Sequence, residues 1–94
     1  MIQTTMNRPG GRRSRPPMLR AYVLIQTEAG KALDAADAIA EIDGVTSAWV
    51  VRGPYDVIAL TEAANVDDLG QIVLAKMRSI EGITRTLTCP MAGL

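Results

Sequence analysis

The side chains able to hold or transform a small molecule are few in this 94-residue chain, and they gather in two places. Arg52-Gly53-Pro54-Tyr55-Asp56 puts a guanidinium, a phenol and a carboxylate around one turn, and Thr84, Thr86 and Thr88 set hydroxyls at alternate positions. A guanidinium suits a carboxylate held bidentately, and alternate residues of a strand point the same way, so the threonines read as a row of hydroxyls. Each feature also has a plainer role. Gly-Pro is ordinary hairpin punctuation, Asp56 suits an Asx bond to the turn backbone, and threonine favours strands for packing reasons. Other chemistries are excluded outright. With no histidine and one cysteine, Cys89, the chain can build neither a Cys/His zinc site nor a Ser-His-Asp triad nor an internal disulfide. It also has no clustered carboxylates at catalytic spacing and no phosphate-binding glycine loop, so no catalytic residue, metal or cofactor is expected.

A chain 48% hydrophobic, 21% charged and only 3% aromatic is expected to form one small soluble domain on an aliphatic core. The longest apolar run, Ala21 to Ile25, is far short of the roughly 20 residues of a membrane helix, and the N-terminus lacks a secretory apolar stretch. A reducing, cytoplasmic setting away from membranes is expected. Charge is unevenly divided: Arg8, Arg12, Arg13 and Arg15 precede every acid, leaving residues 18–94 at net −4. Residues 1–17, with NRPGGRRSRPP at their end, mix chain breakers with like charges and read as a disordered basic tail. That tail is either an arm for nucleic acid or an acidic partner, or an extension without a role. Residues 18–94 form the domain, and their negative charge speaks against direct DNA binding.

The elements that position the hairpin follow from an internal repeat. Ile42-Asp43-Gly44-Val45-Thr46 returns as Ile80-Glu81-Gly82-Ile83-Thr84, and Thr27-Glu28-Ala29 as Thr61-Glu62-Ala63, with the second unit four residues longer between its markers. Four residues are about one helical turn. In the first unit Lys31, Asp34, Asp37 and Glu41 mark the solvent side of a helix whose other side is Ala32, Ala35, Ala36, Ile39 and Ile42. In the second, Asn65 is the expected N-cap and Val66, Leu69, Val73, Met77 and Ile80 the buried stripe, with Gly70 costing about 1 kcal/mol. Gly44 and Gly82 are placed to end the helices in the left-handed conformation. Strands are predicted at 21–28, 46–52, 56–61 and 84–89.

The order is therefore βαββαβ: an α+β, ferredoxin-like plait with a four-stranded antiparallel sheet and two helices on one face. Both faces of the strands are apolar, with Tyr22 and Leu24 opposing Val23 and Ile25, and Ile58 and Leu60 opposing Val57 and Ala59. Helices cover one face only, so the other predicts a two-fold dimer packed sheet to sheet, a dimeric α/β barrel. Tyr22 and Trp49 are expected anchors of that interface or of the core, with ligand stacking as the lesser reading.

From Ala21 onward the sequence resembles the effector-binding domain of the Lrp/AsnC regulators of amino-acid metabolism, also called the RAM domain. AYVLIQTE, the IDGV and IEGI helix exits and Gly53-Pro54-Tyr55-Asp56-Val57 carry the resemblance, the last being similar to the family's Gly-x-Tyr-Asp hairpin. The resemblance implies a stand-alone domain without the family's helix-turn-helix, assembling as homodimers and then octamers, with a small amino acid bound where dimers meet near the hairpin. Carried over, the ligand residues are Gly53, Tyr55 and Asp56, with backbone approach at the glycine, an ammonium partner in Asp56 and an apolar wall in Tyr55. Arg52, where the family often has threonine, adds a partner for a carboxylate, and Thr86 and Thr88 add hydroxyls. Full-length Lrp/AsnC regulators are implied partners.

Two other functions suit the same fold: a small dimeric α/β-barrel enzyme of monooxygenase or isomerase type, and an ACT-type amino-acid-binding module. The absent acid-base groups speak against the enzyme. In the ACT case the ligand glycine would be Gly30, between the first strand and helix, so substitutions at Asp56 and Gly30 separate the readings.

Overall fold

The computed structural model describes residues 18–91; the basic tail read from residues 1–17 lies outside them. Four strands and two helices follow the expected order: β1 (Leu19–Thr27), α1 (Ala32–Ala40), β2 (Val45–Val50), β3 (Val57–Ala63), α2 and β4 (Ile83–Pro90). The fold is α+β and ferredoxin-like, with strand order β2-β3-β1-β4 and every pairing antiparallel. Helix α2, residues 66–78, is one continuous helix in three parts: an α turn (Val66–Asp68), a π-helical stretch (Leu69–Leu74) and a closing α turn (Ala75–Arg78). It exceeds the nine residues of α1 by four, as the repeat spacing predicts.

Asn65 caps α2 as expected, its Oδ1 accepting from the Asp68 N–H at 2.8 Å. The stripe is shorter than the periodicity predicts. Leu69, Val73 and Met77 are buried, but Val66, in the first turn, is 70% exposed. The π stretch, where the Ala75 N–H reaches back five residues to the Gly70 carbonyl, widens the turn so that steps of four residues stay on one face. Each side chain of that size, fully buried, contributes about 1.5–3 kcal/mol.

The core lies between the helices and the inner side of the sheet, built from Val23, Ile25, Val57 and Ala59 of the central strands with Ile39 and Met77 of the helices. Among the described residues, one polar side chain is buried with them. Thr61 is fully buried, and its Oγ1 donates to the Ala21 carbonyl at 2.8 Å across the β1–β3 pair. Thr61→Val, which keeps the shape and removes the donor, is expected to cost about 1 kcal/mol. In a domain of this size that lowers Tm by about 4–8 °C, measured at fixed protomer concentration.

The glycines of the repeat do not cap the helices directly. Each helix first closes with tighter bonds, Ile42 N–H to Ile39 O and Ile80 N–H to Met77 O, and the glycine follows at the third position of a separate turn, Ile42–Val45 or Ile80–Ile83. Their φ values of +101° and +94° suit glycine there. The two units interlock at these turns. Glu62 N–H donates to Gly44 O at 2.7 Å and Glu28 N–H to Gly82 O at 2.8 Å, so the Thr-Glu marker of each unit bonds the glycine turn of the other.

Away from the helices, cross-strand pairing sets up rows. Trp49, Ile58, Leu24 and Leu87 run side by side across all four strands, and Ser47, Leu60, Tyr22 and Cys89 form the next row. Trp49, Leu87 and Tyr22 are 47%, 45% and 39% exposed. Polar pairs border the rows: Arg20 with Glu62 (3.1 Å) at one end, Gln26 beside Arg85 at the other.

Candidate functional site

Antiparallel register brings the β2–β3 hairpin to the end of β1. The Val51 N–H donates to Asp56 O at 2.9 Å, closing the turn, and the Asp56 N–H donates to Ile25 O at 2.8 Å, joining it to the sheet. Two side chains then tie it down. Gln26 Nε2 donates to Pro54 O at 2.9 Å, and Asp56 Oδ2 accepts from the Thr27 N–H at 2.8 Å and the Thr27 hydroxyl at 3.3 Å. The carboxylate thus bonds backbone, as an Asx reading would have it, but the backbone of β1 and not of its own turn. Its Oδ1 has no partner among the described residues and is oriented by the bonds to Oδ2.

Arg52, Gly53 and Pro54 are exposed, and Tyr55 and Asp56 are half-buried. Gly53 adopts φ +137°, and a β-carbon placed there would have no neighbour within 4 Å, so the backbone and not crowding favours glycine. Chemically the turn offers a carboxylate oxygen for an ammonium group, an exposed guanidinium for an anion, open backbone at Gly53 and one aromatic wall.

Thr86 and Thr88 stand elsewhere. They pair with Ile25 and Val23, whose side chains are buried under the helices, so both threonines share the helix side of the sheet, half-buried on an edge strand. The hairpin joins β1 along its opposite edge. Two strand spacings, about 10 Å, separate the two groups within a protomer. Thr84 is exposed, and Gly30 sits in the open turn before α1. Thr27 and Gln26, which position the hairpin, were visible in the sequence only as a repeat marker and a strand residue; the register that pairs Ile25 with Val57 is what brings them there. The two cavities described, of about 200 and 190 Å³, contain no hairpin residue. No helix among the described residues is long and apolar enough to cross a membrane, and no group of three or more potential metal ligands occurs among them.

The family described as the Lrp/AsnC ligand binding domain matches residues 20–91. An uncharacterised HTH-type transcriptional regulator of Pyrococcus furiosus is 37% identical over 71 residues, which are 72% of this chain and 47% of that protein. The chain thus spans about half the length of the curated relatives it matches. The crystal structure of TTHA0845 from Thermus thermophilus superposes with a TM-score of 0.75 at 33% identity, covering 81% of this chain and 95% of that one. The fold is shared at 14% identity and a TM-score of 0.73 by a Neisseria meningitidis transcriptional regulator solved as a complex with L-Met, over 98% of this chain and 60% of that one. This chain belongs to the Lrp/AsnC family, as a form of its ligand-binding domain.

Proposed function

We propose that the protein is a cytoplasmic regulatory domain that binds a small amino acid and has no enzymatic activity of its own. The observation that carries the reading is the Asp56 carboxylate, fixed through Oδ2 by Thr27 with Oδ1 left for a ligand ammonium group, in a member of a ligand-binding family. The L-Met bound by the Neisseria regulator makes amino acids the first class to test. In a single protomer the hairpin gives a ligand one wall and no cavity, which supports a site completed between protomers. Pairing through the open sheet face gives a dimer, and further association, to octamers or with full-length relatives, brings the hairpin of one protomer to Thr86 and Thr88 of another. Arg52 then meets the ligand carboxylate. Ligand-dependent assembly transmits the signal by mass action.

The test is a thermal-melt panel against the twenty amino acids at millimolar concentration. A ligand at 100 times its dissociation constant stabilises by about 2.7 kcal/mol, so one or a few amino acids are expected to raise Tm by several degrees. Asp56→Asn keeps an acceptor for Thr27 and is expected to melt close to the parent while losing the ligand shift. Asp56→Ala loses the brace as well, at about 1–2 kcal/mol. An amino-acid shift that survives in Asp56→Asn contradicts the site, and a shift lost only in a Gly30 variant selects the ACT-type arrangement.

A further inference from the structure

Leu19 opens β1 opposite Ala63, and Ala63 lines a groove of about 190 Å³. The lining is apolar at Gly44, Ala63, Ala64 and Val73 and acidic at Asp43 and Asp68. Glu62 adds its backbone, since its carboxylate pairs with Arg20 on the open side of the sheet. Neither Asp43 nor Asp68 has an ion-pair partner among the described residues. These residues come from the turn after α1, the end of β3 and the first half of α2. The bond from the Glu62 N–H to Gly44 O and the close approach of Val73 to Gly44 draw them together.

We propose that this groove is the docking site of the chain's own basic arm, residues 1–17, and that it takes an arginine from among Arg12, Arg13 and Arg15. Position selects this occupant. Antiparallel register sets Leu19 opposite Ala63 and so directs the preceding chain past Ala64 toward Asn65 and the first turn of α2. Extended chain spans at most about 3.3–3.6 Å per residue, so Arg15, four residues before Leu19, is within about 14 Å of it. Charge selects the same occupant. The arm carries four arginines and no acid, while residues 18–94 are net −4. A guanidinium matches carboxylates with paired N–H donors, and the aliphatic stem of arginine suits the apolar lining between Asp43 and Asp68. Exposed pairs of this kind are individually weak, but a tether of a few residues holds the arginine at an effective concentration in the millimolar range. Acids in a first helical turn also complement the positive helix end, but that role accounts only for Asp68 and asks nothing of Asp43 or of the apolar lining. Docking neutralises the arm within the molecule and withholds its arginines from external polyanions. The groove lies at the Leu19 end of β1 and the hairpin at the Thr27 end, so the proposal stands whether or not the hairpin holds an amino acid.

The experiment is paramagnetic broadening of amide signals in the full chain. A nitroxide is attached at Ser14→Cys, between Arg13 and Arg15, with the exposed native thiol removed by Cys89→Ser. The spin-labelled, isotope-labelled chain is diluted into an excess of unmodified chain, so that each chain reports only its own arm. At low salt the signals of Gly44, Ala63, Ala64 and Asp68 are expected to be lost, and those of Gly53 and Tyr55 at the other end of the sheet to remain. Salt at about 1 M, which cuts the screening length to about 3 Å, is expected to restore them. Asp43→Asn combined with Asp68→Asn is expected to restore them at low salt, as is Arg12→Gln combined with Arg13→Gln and Arg15→Gln. Asp34→Asn combined with Asp37→Asn removes as much charge from the exposed side of α1 and is expected to leave the broadening unchanged. The proposal is overturned by four results: no broadening at low salt, broadening only in the undiluted sample, broadening that survives loss of both groove aspartates, or broadening that disappears equally with the two aspartates of α1. The second of these would assign the groove to the arm of another copy.

Discussion

Gly44→Ala is expected to lower the unfolding free energy by about 3 kcal/mol, through two additive effects. Gly44 holds φ +101°, and a β-carbon placed there would lie 2.6 Å from Val73 Cγ2 and 3.2 Å from the Glu62 carbonyl oxygen. Left-handed backbone costs an ordinary residue about 1–2 kcal/mol, and forcing a methyl into a packed contact costs about 1–3 kcal/mol more. Neither neighbour yields easily. Val73 is 2% exposed within the core, and the Glu62 carbonyl belongs to a strand whose own N–H bonds Gly44. Gly53→Ala is the control, since Gly53 has φ +137° but nothing within 4 Å; it is expected to cost about 1 kcal/mol from the backbone alone. Urea denaturation of both variants at fixed protomer concentration separates crowding from backbone strain. Equal losses would mean that α2 moves away from the turn without penalty.

The second large effect concerns the open face of the sheet. Leu24→Asp is expected to weaken dimerisation about 1000-fold while leaving the protomer folded. Leu24 lies at the centre of the row Trp49, Ile58, Leu24, Leu87, flanked by a second row and bounded by polar pairs, an apolar centre with a charged rim of the kind that interfaces show. A two-fold axis counts each substitution twice, and about 2 kcal/mol per copy at a central position gives three decades in the dissociation constant. Leu24 is only half-buried in the protomer and faces away from the helices, so the substitution leaves the core intact. Sedimentation velocity over a concentration series, with circular dichroism for fold, decides it. A parent protein that is monomeric at tens of micromolar, or a Leu24→Asp dimer of unchanged affinity, removes the sheet face as the interface.

Much of this architecture is legible in the residues because local signals and burial agree. Alternation in Tyr22-Val23-Leu24-Ile25 puts Val23 and Ile25 under the helices and Tyr22 and Leu24 on the open side, as observed. Asn65 is a cap by its side-chain chemistry alone, and the four extra residues between repeat markers reappear as a longer α2. What escaped the sequence depends on geometry between elements. Val66 fits the apolar period of α2, yet it stands 70% exposed in the first turn. The π stretch leaves no mark in composition beyond Gly70. Thr86 and Thr88 alternate as a comb, but alternation alone does not say which face the comb is on; pairing with Ile25 and Val23 settles that. At the hairpin, Arg52, Gly53, Tyr55 and Asp56 were legible as a cluster, whereas the hold that Thr27 has on Asp56 exists only through register across β1 and β3.

The crosswise bonding of the two units has a consequence for how the chain reaches this state. Every strand pairing, β1 with β3, β1 with β4 and β2 with β3, joins one βαβ half to the other, and each glycine turn finds its partner in the opposite half. Neither half contains a sheet of its own. Only the β2–β3 hairpin can close early, as a local contact; the seam between β1 and β4, which brings Ala21 beside Pro90, must wait for nearly the whole described chain. Folding is then governed by the closure of long loops and not by the strength of either helix, which puts the domain among slower folders for its length. A chain cut at the hairpin would yield two fragments that are each unstructured and that regain order only by recombining, so the repeat is a symmetry of the finished sheet and not a pair of independent building blocks.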